Sequence, residues 1–280
     1  FFFAPHGSSL SVGTKPADDL AAYSSERVRG GGCGLVIVAL AAHERARTRQ
    51  PSPYPPENIG AFRALADTVH EAGGKIFGEP FYWWGGAGYW QPLGPPAPSF
   101  GPSVRQFGFR DRSNSTHAMN HEEIRAIQDV IRQSCGHMRE AGFDGVMLHG
   151  SHAAMIEQFV SPYFNERTDE YGPQTLENRM RFSVEVLQEI RRQVGNDYIV
   201  GLRMVADETV EDGLTRKDGL AIARHMADSG LIDFINVIQG YIGTDEALSH
   251  VIPGMGTPAG PHLDLAREVK RIVKLPVMQA

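Results

Sequence analysis

Apolar residues along the chain fall into two alternating patterns. Short, nearly unbroken runs occupy 1–4 (FFFA), 34–40 (GLVIVAL), 75–80 (KIFGEP), 145–148 (GVML), 198–204 (YIVGLRM), 233–238 (DFINVI) and 275–279 (LPVMQ). Runs of that length with little polar alternation predict strands buried on both faces. Between them, apolar residues recur three or four apart over 18–29, 61–72, 121–141, 176–194, 216–229 and 263–273, which predicts amphipathic helices. AGG at 72–74 and AGF at 141–143 place glycines where a helix ends before a strand. Repeated strand-then-helix order predicts a parallel sheet. A uniform succession with no mid-chain linker favours a (β/α)8 TIM barrel over a doubly wound sheet. The eighth unit is not present, so the sequence reads as one barrel domain over 1–280, incomplete at both ends and truncated after its seventh strand.

Composition narrows the class. With 280 residues and 41% hydrophobic content, the chain can bury a large core. A formal charge of −6 argues against nucleic acid or an anionic membrane as the main partner. Two cysteines without paired spacing support neither a disulfide framework nor a thiolate metal site. No apolar run approaches the roughly 18 residues of a membrane span. A cytoplasmic enzyme acting on a small molecule is the expectation, with a homo-oligomer left open.

In a barrel, the residues just past the strand C-termini face the active site. His149 and His152 follow the fourth strand directly. Two imidazoles there can brace loop backbone, donate to one carbonyl or anionic oxygen, or ligate a metal. A metal needs a third ligand; Glu79 or Asp207 could supply it, but nothing in their spacing selects for one, and no metal is expected. The segment EPFYWWGGAGYWQPLGPP at 79–96 follows the third strand. Its glycines and prolines make it a loop over the barrel mouth, where Tyr82, Trp83 and Trp84 could stack on a flat substrate or surround an alkylammonium.

The stretch AGFDGVMLHGSHAAMIEQFVSPYFNERTDEYGPQTLENRMRF, residues 141–182, resembles the Old Yellow Enzyme family of flavin oxidoreductases. The likeness extends through VHEAGGKIFGEPF before it and VGLRMVADE after it, covering nearly the whole chain. It implies an FMN-containing barrel with non-covalent FMN reduced by NAD(P)H. His149 and His152 match the pair that binds the oxygen of an α,β-unsaturated carbonyl over the flavin, His149 also standing near the cofactor. Arg203 matches an arginine at the flavin's pyrimidine edge, where a cation steadies the charge of the reduced ring. Ala4, Pro5, His6, Leu40 and Glu79 are the other implied FMN neighbours. Tyr241 joins Tyr82, Trp83 and Trp84 as a candidate substrate contact, and Tyr82 or Tyr241 is a candidate proton donor. Asn165, Arg167, Asp169, Tyr171, Glu177, Asn178 and Arg179 are expected to brace the backbone.

Two departures bear on the reaction. The family's common proton donor, a tyrosine two residues after the second histidine, is Ala154 here, and the glutamine usual at the end of the third strand is Glu79. Glu79 and APHG are also similar to the trimethylamine dehydrogenase branch, though that branch usually has tyrosine where this chain has His149. The leading expectation is hydride transfer from NAD(P)H through FMN to an activated alkene. The alternatives are oxidation of a secondary or tertiary amine and a flavin-binding fragment without turnover.

Overall fold

The computed structural model describes residues 1–42, 50–82, 99–109 and 112–279. Seven strands form one sheet in chain order: β1 (Phe2–Phe3), β2 (Leu35–Ala41), β3 (Lys75–Phe81), β4 (Gly145–Gly150), β5 (Ile199–Val205), β6 (Phe234–Ile238) and β7 (Val277–Gln279). Every neighbouring pair is parallel. Helices α1 (Asp18–Arg29), α2 (Ile59–Glu71) and α3 (His121–Glu140) follow β1, β2 and β3. A short α4 (Met155–Val160) precedes the long α5 (Leu176–Val194) after β4, and α6 (Arg216–Asp228) follows β5. After β6 come α7 (Asp245–Val251) and α8 (Leu263–Ile272). This is the expected truncated barrel, and each anticipated strand or long helix is present with ends shifted by no more than two residues.

The alternation of side chains along each strand divides the core into two compartments. Even-numbered residues of β2, Val36, Val38 and Leu40, join α2 and α3 in the large core between sheet and helices. The opposite faces supply the barrel interior, where Ile37, Phe77, Met147 and Phe234 make a separate cluster. Gly201 of β5 permits that packing: a Cβ there would stand 2.1 Å from the Phe234 ring. Above this apolar floor the inward positions turn polar, namely Glu79 on β3, His149 on β4 and Arg203 on β5. A floor packed with hydrocarbon below a polar layer makes the top of the barrel a site rather than a pore.

Local chemistry sets the helix ends. Asn120 accepts from the Glu122 and Glu123 amides while Glu123 returns a bond to the Asn120 amide, a capping box that starts α3. Thr215 and Asp218 do the same for α6. The loop from 161 to 175 carries the expected braces. Asn165 donates to the carbonyls of Phe159 and Tyr171, both at 2.7 Å. Arg167 donates to the carbonyls of Pro102 (3.0 Å) and Met119 (2.6 Å) and pairs with Asp169. Arg179 reaches the Val160 carbonyl and Asp218. The hydrophobic pattern does not reveal the small hairpin of Ser11–Val12 with Lys15–Pro16, the three-stranded excursion within 99–118, or α4 and α7. All of these lie in the segments that join strands to helices, where packing against the barrel substitutes for periodicity.

Candidate active site

A cavity of about 350 Å³ opens at the C-terminal ends of the strands. Its polar wall is Glu79, His149, His152 and Arg203, and its apolar wall includes Ala39, Phe81 and Ile238. Pro5, His6 and Gly7 contribute from the β1 end, while Ile242 and Val251 cover it from the segment around α7.

Three charged or titratable side chains meet on the polar wall, each almost fully buried: Glu79 is 2% exposed, His149 5% and Arg203 7%. Glu79 Oε1 lies 3.0 Å from His149 Nδ1 and 3.3 Å from Arg203 Nη1. Burial pushes the Glu79 carboxyl up, but the charges of His149 and Arg203 and their hydrogen bonds outweigh it and hold the group below the usual carboxylate range. Glu79 is therefore ionised, accepting from Arg203 and in direct contact with the Nδ1 edge of the His149 ring.

His152 stands beside it, the two rings 5.4 Å apart. Burial, then Arg203, then His149 drive its pKa well below the ordinary histidine value, so it is a neutral imidazole. Ser151 Oγ lies 3.5 Å from His152 Nδ1, at the outer limit of hydrogen-bonding reach. The turn that carries His152 is unusual: His152 and Ala153 both have left-handed φ, 57° and 56°, a conformation that side-chained residues adopt only when held.

The structure brings together Pro5, His6, Glu79, His149, His152 and Arg203 from the sequence expectations. Others require correction. Leu40 is buried in the sheet–helix core, because strand alternation turns its side chain away; its neighbour Ala39 faces the cavity instead. Ala4 is not among the lining residues. Tyr241 packs against Tyr163 and Phe164 behind the wall, with its phenol folded against Gly243, whose Cβ would fall 2.1 Å from the hydroxyl oxygen. Tyr82 packs against the sheet–helix core, and its carbonyl accepts from the Met155 amide at 3.2 Å. Trp83 and Trp84 lie outside the described residues. Ala154 is fully buried at the start of α4 and does not line the cavity. Asp207 accepts from the Thr209 amide and lies outside the lining.

Sequence reasoning missed Gln50, Gln239, Ile242, Leu248 and His262, all of which line the cavity. Gln50 ends a charged, aperiodic stretch, Ile242 and Leu248 sit beside or in the short α7, and His262 is the N-cap of α8. No local pattern marks them. It also passed over Glu157 and Glu208, two buried acids beneath the His152 turn. For Glu157 the available signal is an acid set, with Gln158, between the apolar pairs Met155–Ile156 and Phe159–Val160.

A parallel barrel whose strand ends carry a buried arginine–carboxylate–imidazole wall, facing an apolar wall across a cavity, defines an α/β-barrel enzyme built for a flat ligand with a polar edge. The chain belongs to the NADH:flavin oxidoreductase / NADH oxidase family, whose profile matches residues 3–273. That family includes the Old Yellow Enzymes, uses FMN, and takes electrons from NAD(P)H. The chain is 35% identical over 264 residues to the N,N-dimethylglycine/sarcosine dehydrogenase of Chromohalobacter salexigens, spanning 92% of this chain and 37% of that protein. It is 32% identical over 296 residues to the multifunctional alkene reductase/demethylase OYE of Caballeronia cordobensis, spanning 98% and 40%. Histamine dehydrogenase from Rhizobium sp. 4-9 shares the fold, with a TM-score of 0.83 at 22% identity over all of this chain and 40% of that one. The chain thus spans about two fifths of the length of these relatives.

The residues present fit FMN. Arg203 Nε is buried without a partner among the described residues, a donor aimed at no protein acceptor. Asn236 of β6, the register partner of Arg203, is fully buried with both amide atoms likewise unpartnered. Buried polar atoms are normally hydrogen-bonded, so donors and acceptors left open beside the cavity call for a further partner. An isoalloxazine has the corresponding form, a flat apolar body with donors and acceptors along one edge.

Proposed function

We propose that this chain is the catalytic barrel of an FMN-dependent NAD(P)H oxidoreductase that reduces alkenes activated by a carbonyl. The observation that carries this reading is the adjacent, neutral His152 and Glu79-paired His149 on the cavity wall. FMN, when bound, supplies the two-electron chemistry. Arg203 is placed to hold its electron-rich edge and to offset negative charge there, with Glu79 as the neighbouring acceptor. Pro5, His6 and Gly7 border the cavity from the other side. His152 offers an N–H to the substrate oxygen, with the His149 ring 5.4 Å away on the same wall. Such a donor stabilises the oxygen as it gains negative charge, and its burial removes competing water. The relative that reduces alkenes supports this reading.

A second reading, oxidation of an N-methylated amine, is favoured by one specific feature. Glu79 is an ionised carboxylate on the cavity wall beside His149 and Arg203, which suits an ammonium or N–H group of a substrate. Ala154 supplies no hydroxyl for protonating an alkene carbon, and the dehydrogenase and demethylase relatives support the same chemistry.

Anaerobic mixing of the full-length, FMN-loaded protein separates the two. Rapid flavin bleaching by NAD(P)H, followed by reoxidation with cyclohexenone, supports alkene reduction. Bleaching by sarcosine or N,N-dimethylglycine without nicotinamide replaces it with the amine reading. Inertness to all of these overturns both.

A further inference from the structure

Beneath the cavity wall, two carboxylic acids meet where the mechanism above gives neither a role. Glu157 on α4 is 2% exposed, and Glu208, just past β5, is fully buried. Glu157 Oε2 accepts from the Ala153 amide at 2.6 Å. Glu208 Oε2 accepts from the Ser161 hydroxyl at 2.7 Å and the Leu214 amide at 2.6 Å. The remaining oxygens, Oε1 of each, are buried and take no donor from any other described group. The two side chains are hydrogen-bonded to each other; such a contact between two buried carboxylates needs either a cation or a proton, and a single proton satisfies the pair.

The Glu157 bond falls on the one turn in the site that needs holding. Ala153, left-handed like His152, is held at both ends: Glu157 takes its amide proton, and the Gln158 side-chain amide donates to its carbonyl at 2.7 Å. Release of these bonds frees two residues to leave a conformation that they do not favour. We propose that Glu157 and Glu208 share one proton, and that this pair is a positioning device that locks the His152 turn and ties it to the end of the Arg203 strand.

The surrounding groups agree. Burial, then the charge of Glu208 and a hydrogen bond to it, hold Glu157 well above the usual carboxylate range. Burial likewise raises Glu208, against the bonds from Glu157, Leu214 and Ser161 and the charge of Arg179 on α5. Arg179 donates through Nε to Val160 and through Nη1 to Asp218, its Nη2 being buried without a hydrogen-bond partner among the described residues, and it forms no ion pair with either acid. Tyr241, whose hydroxyl is pushed up first by burial and then by Tyr163 and by both acids, offers no positive charge. Among the described residues no cation forms an ion pair with either acid, so the proton is held by the pair itself. A rise in pH that removes it sets two carboxylates against each other directly under His152.

The inference rests on His152 being part of the proposed site, so its test has one arm that does not. In the full-length, FMN-loaded protein, an infrared difference spectrum of wild type against Glu157→Gln at neutral pH is expected to show a protonated carboxyl band that shifts in D2O. Its absence overturns proton sharing whatever the substrate. The second arm measures phenol binding through its flavin charge-transfer band as a function of pH. Glu157→Leu, which leaves the Ala153 amide without an acceptor, is expected to weaken phenol binding on the order of tenfold. Glu157→Gln, which can accept from Ala153 and donate to Glu208, is expected to restore the affinity and abolish its alkaline decline. Equal affinity in wild type and Glu157→Leu, or an alkaline limb unchanged in Glu157→Gln, overturns the positioning role. Wild type that shows the infrared band yet binds no phenol indicts the site reading, leaving the shared proton intact.

Discussion

At the residue scale, the site is governed by which proton sits on which atom. His152 is neutral because burial and the Arg203 charge both oppose a second proton, so its contribution is one directed N–H. If that N–H meets a substrate oxygen, His152→Ala lowers the affinity of a phenol over oxidised flavin by about 1.5–3 kcal/mol, the range for hydrogen bonds to charged groups; titration of the charge-transfer band measures it. Arg203 and Glu79 form a buried pair, and loss of one partner is worse than loss of both. Arg203→Met should lower FMN affinity and destabilise the protein by about 3–5 kcal/mol, because it strands a buried carboxylate. Pairing it with Glu79→Gln should recover part of that stability, which a denaturation cycle reads directly. A single-variant cost that the double variant does not reduce would show that the two side chains are not coupled.

At the element scale, the strands and long helices were legible because each repeats one physical requirement. Strands buried on both faces need continuous apolar runs, and the α3 and α5 positions facing the sheet need a 3.6-residue period. The orientation within β2 is not legible in the sequence: Leu40 and Ala39 are adjacent apolar residues, and only the sheet decides which one faces in. The short α4 has no periodicity of its own, being buried throughout, and Ala154 at its start shows what that entails. The sequence reading would place a tyrosine there as a missing proton donor, yet the position faces packed protein. Ala154→Tyr is therefore expected to destabilise the fold by about 1–3 kcal/mol or more by overpacking, without faster alkene reduction; thermal melting and a stopped-flow oxidative half-reaction test it together. Gly201→Ala on β5 belongs to the same class, since its new Cβ meets the Phe234 ring at 2.1 Å. A loss of about 1–3 kcal/mol in denaturant unfolding is expected.

At the scale of the whole molecule, pH acts from two sides. Asp144 joins β3 to β4: burial raises its carboxyl, but Lys75, the Ile76 amide and His70 together bring it below the ordinary value. A lowered carboxyl contributes stability that is present above its unfolded value and lost as pH falls through the folded one, so acid loosens this junction. Glu157 has the opposite sign. Its raised carboxyl holds a proton that the unfolded chain releases, so stability declines as pH rises from the ordinary carboxylate value through the folded one. Melting temperature measured against pH should fall at both ends, and Glu157→Gln should flatten the alkaline side alone. No described helix is long and apolar enough to cross a membrane.

The sequence by itself determined the barrel, its strand order, the flavin-family membership and four residues of the polar wall, because each follows from a local pattern or from a motif at a strand end. Only the tertiary structure decided that Glu79 lies between His149 and Arg203, that Tyr241 stands behind the wall, and that α7 covers the cavity. It also decided that Glu157 and Glu208, 51 residues apart in the chain, meet under one strained turn. Periodicity reports which face of an element is buried. Whether a buried carboxyl meets a cation, an amide or another acid depends on side chains contributed by other strands and loops, and in a parallel barrel those neighbours are always distant in sequence.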